Sequence, residues 1–267
     1  MKSKNCIYFY RVLNIAPIKI SVVNYFNTLP FRWAIRHSGL LSRIELQEDI
    51  PSICAQKLKY KQVDIGLVPV ALLNELDNYK IIINYCIGAK GKVDSVKLYS
   101  KVELEKITTI TLDYQSKSSI TLTKILAKEF WKINPLFLDA KPGFENSVKG
   151  NDAVVVIGDR AFDLNNKYKF EWDLSEEWKK FTGLPFVFAV WVLYSDNVTN
   201  DFIEEFNKVI EHGLKNIPEA LKDYKSKLPS TNFDPLNYLT KKIDYNLDKD
   251  KQKALKIFLQ KMKNLSL

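Results

Sequence analysis

The sequence predicts an α/β fold in two units, the first built on a mostly parallel sheet. Three observations carry this. From Ile18 to Val70, short β-branched apolar runs alternate with stretches of helical spacing, the βαβα rhythm that builds a parallel sheet. A charged break, Glu103-Leu104-Glu105-Lys106, then precedes a fresh strand and helix starting at Ile107. The most hydrophobic run, Phe186 to Tyr194, follows that second unit and leads only into helical patterns, as a return crossing to the first unit would.

Taken in order, Ile18 to Val23 is the first strand, and the polar loop Asn24 to Thr28 feeds a helix with Pro30 in its first turn. Arg43 to Glu48 is a strand, Pro51 to Tyr60 a helix and Val63 to Val68 a strand, after which Pro69 opens another helix. Tyr79 to Ile87 is β-prone. Ser95 to Ser100 alternates like a strand with one wet face. The second unit contains the strand Ile107 to Leu112 and its helix, short strands at Leu136 to Leu138 and Ala153 to Ile157, the stretch Tyr168 to Asp173, and a helix over Glu176 to Phe181. From Asn200 onward the pattern is helical throughout: Phe202 to Leu214, Ile217 to Lys227, Asp234 to Ile243, and Asp248 to Met262 with its cap at Asp248. The expected lobes are residues 18–104 with 188–267, and 105–187 between them, joined by crossings near 101–106 and 185–190; residues 1–17 form an N-terminal extension.

At 267 residues and 46% hydrophobic content the chain can pack large cores. Its net charge of +9 is scattered, without the basic blocks of a nucleic-acid footprint, and would steer a small anion toward the protein. Cys6, Cys54 and Cys86 are far apart and His37 and His212 stand alone, so neither a disulfide framework nor a metal site is expected. Arg11 interrupts the apolar residues near the N-terminus, so neither a signal peptide nor a membrane span is expected there, and the cytoplasm is the expected compartment.

Candidate site residues gather where strands meet helices. The turn Thr111 to Ile120 runs from a buried strand into a helix, and Ser116, Ser118 and Ser119 stand where backbone N–H groups are unpaired. Free donors and the positive end of the helix dipole make this an anion site, with Lys117 adding charge; an ordinary capped helix would show the same residues. Asn24, Asn27 and Thr28 follow the first strand, at the carboxyl end where α/β sheets collect ligands, although Asn and Thr also serve plain turns. Gly66 in mid-strand suggests close approach of a ligand or another backbone, or a bulge. Gly158 lets a ligand near the backbone where a strand ends, and Asp159 can cap the helix that follows.

Six ordered segments, Val22 to Pro30, Asp64 to Val70, Ser95 to Ser100, Thr111 to Ser119, Val156 to Ala161 and Thr182 to Trp191, closely resemble the chorismate dehydratase family of the futalosine route to menaquinone. The resemblance covers roughly residues 18–265. It implies a two-lobed fold like the type II periplasmic binding proteins, with two interdomain crossings and the ligand between the lobes. It implies removal of water from chorismate to give 3-[(1-carboxyvinyl)oxy]benzoate, with no cofactor and no metal, and with no nucleic acid or membrane as partner. Substrate-binding residues are then expected at Asn27, Thr28, Gly66, Ser95, Ser116, Ser118, Ser119, Gly158 and Asp159, with Asn24 as the catalytic residue. Lys117 departs from the Arg usual in the family, and Ser118 from Thr.

None of these segments offers an obvious His or Glu base, and Asp113 and Asp159 are as well suited to capping. The expected mechanism therefore uses the enolpyruvyl carboxylate of the substrate as the base, held near the ring by Asn24 and the Ser116 to Ser119 turn. Two rivals share the fold: the sister 1,4-dihydroxy-6-naphthoate synthase, which would need a cleft histidine, and a non-catalytic solute-binding protein.

Overall fold

A computed structural model describes residues 16–224, 228 and 233–265. The expected N-terminal extension, up to Ile15, and the expected helix end at residues 225–227 lie outside the described residues.

Two mixed sheets form the frame. The first contains β1 (Ile18–Val23), β2 (Ile44–Asp49), β3 (Ile65–Pro69), β4 (Lys80–Ala89), β10 (Phe186–Leu193) and β11 (Asp244–Asn246), in the order β11-β4-β10-β3-β1-β2. The second contains β5 (Val96–Ser100), β6 (Thr109–Leu112), β7 (Leu136–Asp139), β8 (Asp152–Ile157) and β9 (Phe170–Asp173), in the order β7-β6-β8-β5-β9. Parallel pairing joins β1 to β2 and β3, and β6 to β7 and β8. The expectation of a mostly parallel first sheet is corrected by the returning strand β10, which runs antiparallel to β3 and β4; in the second sheet β5 runs antiparallel to β8 and β9.

The position of β5 also corrects the first crossing. Val96 to Ser100 pair with Ile157 to Ala153, so the chain changes sheets between Ala89 and Val96 and not at the charged break 101–106. β5 is buried at every position, so both of its faces are covered, against the expectation of a wet face. Even Lys97 is only 3% exposed, its ammonium bonded to Asn165 Oδ1 at 2.7 Å and Glu171 Oε2 at 3.1 Å. The return crossing lies before Phe186, since β10 belongs wholly to the first sheet and is buried at every position, as a continuously apolar central strand should be.

Helices cover these sheets: α1 (Leu29–Arg36), α2 (Pro51–Lys59), α3 (Lys117–Ile125), α4 (Leu174–Thr182), α5 (Asn200–Lys215), α6 (Ile217–Asp223), the single turn α7 (Pro235–Asn237) and α8 (Lys249–Leu265). Pro30 and Pro51 occupy first turns, where no amide hydrogen is needed. Asp248 caps α8 as expected, accepting from Lys251 N at 2.9 Å. The C-terminal region is not helical throughout: α7 runs into a π-helical turn, Tyr238–Lys242, and then β11 adds to the edge of β4. One apolar cluster runs through both sheets, with Val22, Leu67, Val190 and Trp191 from the first and Leu98, Ile110 and Val155 from the second.

Candidate active site

The carboxyl ends of β1 and β3 face the Ser116 turn and the end of β8, and a cavity of about 50 Å³ lies between them. Asn27, Thr28, Ser95, Ser116, Ser119 and Gly158, all expected from sequence, line it together with Tyr25 and an apolar wall that includes Val23, Ile87, Val93 and Phe188. A larger groove of about 570 Å³ lies on the outer side of β4 between α5 and α8, and none of the expected site residues lines it. We place the site in the smaller space because convergent polar groups on a mostly apolar wall mark a ligand pocket better than volume does.

Each polar group is held by its local chain. A short 3-10 turn, Phe26–Thr28, follows β1, and Thr28 Oγ1 is fully buried within hydrogen-bond reach of Tyr25 O at 2.8 Å. Arg32, one turn into α1, donates to Thr28 Oγ1 at 3.1 Å while its Nη1 pairs with Glu48 at 2.9 Å, so the loop is braced from outside the cavity. Ser116 caps α3, its hydroxyl accepting from Ser119 N at 3.4 Å and lying 3.3 Å from Ser119 Oγ. Asn27 is fixed at its carbonyl by the Tyr245 hydroxyl at 2.9 Å, yet its Oδ1 is buried without a hydrogen-bond partner among the described residues. Such an orphan acceptor costs about 1–3 kcal/mol unless a ligand supplies the donor.

Four expected residues fall outside the lining. Asn24 is exposed; its backbone N–H continues the strand ladder to Asp49 O at 2.9 Å, which sets the residue on the rim and leaves Asn27 inside. Gly66 is explained by packing, because a Cβ there would meet Val68 Cγ1 at 3.0 Å and the Leu58 side chain of α2 at 3.5 Å. Ser118 turns away from the cavity and accepts from Ala71 N at 3.1 Å, a bond between the two sheets' halves of the molecule. Asp159 does not cap its own turn: its carboxylate accepts from Phe26 N at 3.0 and 3.2 Å, across the cleft. Lys117, expected to charge the anion site, is exposed and paired with Glu75.

Sequence reasoning assigned no role to Tyr25 or Tyr238, and took Asp113 for a structural cap. Tyr25 reaches over the cavity to Gln115 Oε1 and lies against Gly158. Tyr238, from the π-helical turn, donates to Ser95 Oγ at 2.8 Å. Asp113, fully buried, accepts from Gln115 N at 3.0 Å, Ile157 N at 3.1 Å and Arg160 Nη2 at 2.6 Å, and so ties the Ser116 turn to β8. The position of Tyr25 between two candidate asparagines was a usable signal; nothing in the helical pattern around Tyr238 marked it.

The pocket's lining is uncharged. Among the described residues no Lys, Arg, His, Asp or Glu lines it, so a carboxylate entering would be received by hydroxyls, an amide and backbone N–H groups at the start of α3. Burial, with the Asp113 charge nearby, pushes the Tyr25 phenol far above its usual range, so it is a donor and not a base at neutral pH. Burial likewise raises Asp159 to about 6 and raises Asp113 despite its Arg160 partner. His37 follows the last residue of α1 and His212 lies on α5; both are in ring contact with Trp33, and neither lines the cavity. Among the described residues, no three His, Cys, Asp or Glu side chains group as metal ligands. No helix among them is long and apolar enough to cross a membrane.

The sequence matches the family described as menaquinone biosynthesis over residues 18–264. It is 27% identical over 199 residues to chorismate dehydratase of Thermus thermophilus, covering 68% of this chain and 71% of the relative. To chorismate dehydratase of Campylobacter jejuni it is 25% identical over 252 residues, covering 92% of this chain and 97% of the relative. Among solved structures, an Archaeoglobus fulgidus protein superposes with a TM-score of 0.71 at 16% identity, covering 94% of this chain and 97% of that one. A Candida albicans protein described as having the generic periplasmic binding protein fold superposes with a TM-score of 0.66 at 14% identity, covering 94% and 91%. These likenesses establish the fold as periplasmic-binding-protein-like.

Proposed function

The chain belongs to the menaquinone-biosynthesis family, and we propose that it is a chorismate dehydratase, a hydro-lyase that converts chorismate to 3-[(1-carboxyvinyl)oxy]benzoate and water. The observation that carries this is a mostly apolar cleft pocket whose polar groups are hydroxyls, an amide and backbone donors, with no carboxylate or histidine lining it among the described residues. Chorismate has two carboxylates for such donors and can supply the base itself. Its enolpyruvyl carboxylate removes the ring proton beside the hydroxyl-bearing carbon; the C–H electrons form the ring double bond, the C–O bond breaks, and the departing hydroxide takes the proton to leave as water. The product is aromatic, which supplies much of the driving force.

The protein's share is orientation and exclusion of water. Asn27 Oδ1 has the unmet acceptor that the substrate's ring hydroxyl can satisfy. Ser116, Ser119 and the α3 amides suit one carboxylate, and Ser95 and Thr28 stand across from them. The cavity of about 50 Å³ is far below the roughly 300 Å³ at the small end of ligand pockets, so the two lobes part to admit substrate and close over it. Bonds available for that closure are Tyr25 to Gln115, Phe26 N to Asp159, Ala71 N to Ser118 and Lys117 to Glu75. We place the reaction in the cytoplasm, with chorismate as the small-molecule partner. Incubation of the purified protein with chorismate and a chelator should yield the aromatic product. Chorismate that is bound but unchanged would leave a binding protein in its place, and chorismate neither bound nor changed would overturn both readings.

A further inference from the structure

Tyr238 connects the C-terminal segment to the pocket without lining it. Its ring is 3% exposed and wedged among Phe26 at 6.3 Å, Phe162 at 5.0 Å and Phe233 at 5.3 Å between centroids, so the hydroxyl has one fixed place. There it donates to Ser95 Oγ at 2.8 Å and sits beside the Asn27 side chain. A phenol is a far stronger acid than an alcohol, so between these two hydroxyls Tyr238 is the donor and Ser95 the acceptor. The single proton of Ser95 must then point elsewhere, and Ser95, itself 2% exposed, lines the cavity.

We propose that Tyr238 is a positioning residue for the dehydration: it fixes the Ser95 hydroxyl as a donor aimed into the pocket, toward a carboxylate or the departing hydroxyl of the substrate. Accepting one hydrogen bond also strengthens the one Ser95 donates. This rests on the dehydratase assignment above.

The test is a double-mutant cycle on chorismate turnover with Tyr238→Phe, Ser95→Ala and the pair. Tyr238→Phe keeps the ring and should lower kcat roughly tenfold, as the loss of one orienting hydrogen bond does. In the Ser95→Ala background the same change should cost less than about twofold, because Tyr238 acts through that hydroxyl. Site-specific replacement of Tyr238 by a fluorotyrosine, a stronger donor of nearly the same shape, should shift kcat with the melting temperature unchanged. Losses that multiply in the double variant, a fluorotyrosine without effect, or a Ser95→Ala variant as fast as the parent would each overturn the proposal. A parent inactive on chorismate brings down the dehydratase assignment itself, whereas an active parent with multiplying losses brings down only the role of Tyr238.

Discussion

The ring of Tyr25 lies so close to the backbone of Gly158 that a Cβ there would stand 2.8 Å from two ring carbons. Gly158 also has φ +67°, a conformation that costs residues with a side chain about 1 kcal/mol. The glycine leaves space that the Tyr25 ring fills.

Gly158→Ala should therefore hold Tyr25 off its seat. Displacement of about 1 Å at a reacting centre costs roughly 100-fold, so kcat/KM for chorismate should fall by about that factor while the melting temperature drops only slightly. Small-angle scattering with chorismate should show the variant more open than the parent. A variant of parental activity would show that Tyr25 need not close on this residue.

Asp159 gives a pH signature. Its folded value of about 6 lies above the ordinary carboxylate range because it is buried, so the folded state holds its proton more tightly than the unfolded chain. The cost to stability is absent below about pH 4, grows as pH rises through 6, and is complete above it. Asp159→Asn retains an acceptor for Phe26 N and should be more stable than the parent at pH 8, by on the order of 2 kcal/mol, with the gap closing by pH 4. Denaturant melts at the two pH values would show this; an unchanged gap would mean that Asp159 is solvated as an ordinary surface carboxylate.

The serines of the α3 turn should separate. Ser119 lines the pocket, and Ser119→Ala should weaken chorismate binding by about 1.5–3 kcal/mol if its hydroxyl meets a carboxylate. Ser118 holds Ala71 N, so Ser118→Ala should act on closure, lowering kcat and raising KM. Titration calorimetry and steady-state rates on both variants would distinguish the two roles; identical profiles would contradict them.

The two asparagines should separate as well. Asn27→Ala removes the orphan acceptor and should cost turnover at least tenfold, by the loss of about 1.4 kcal/mol or more of orientation. Asn24→Ala, at the exposed rim, should lie within about twofold of the parent. The reverse order of effects in steady-state rates would return the role to Asn24.

Much of this site could be read from sequence because local rules place it. A strand running into Ser116 and Ser119 fixes a helix N-terminus, and Asn27 and Thr28 end β1 where ligands collect in such sheets. What sequence could not provide was long-range. Ser95 to Ser100 reads alike as an edge or a central strand, and only its pairing with β8 and β9 decides which sheet it joins. Asn24 and Asn27 are equivalent as turn residues until the 3-10 turn points one of them inward. Asp159 carries the signature of a helix cap, and its true partner, Phe26 N, is 133 positions away. Tyr238 sits in a stretch whose only visible signal was helical.

In the proposed mechanism the pocket orients chorismate and the substrate supplies the base. The most direct measurement is the turnover of a chorismate analogue whose enolpyruvyl carboxylate is converted to the amide, which keeps the shape and removes the proton acceptor. This analogue should compete with chorismate for the pocket and yield no aromatic product beyond the uncatalysed rate. Dehydration of the amide at a rate near that of chorismate would show that a side chain of the protein takes the proton, and would contradict the proposed mechanism.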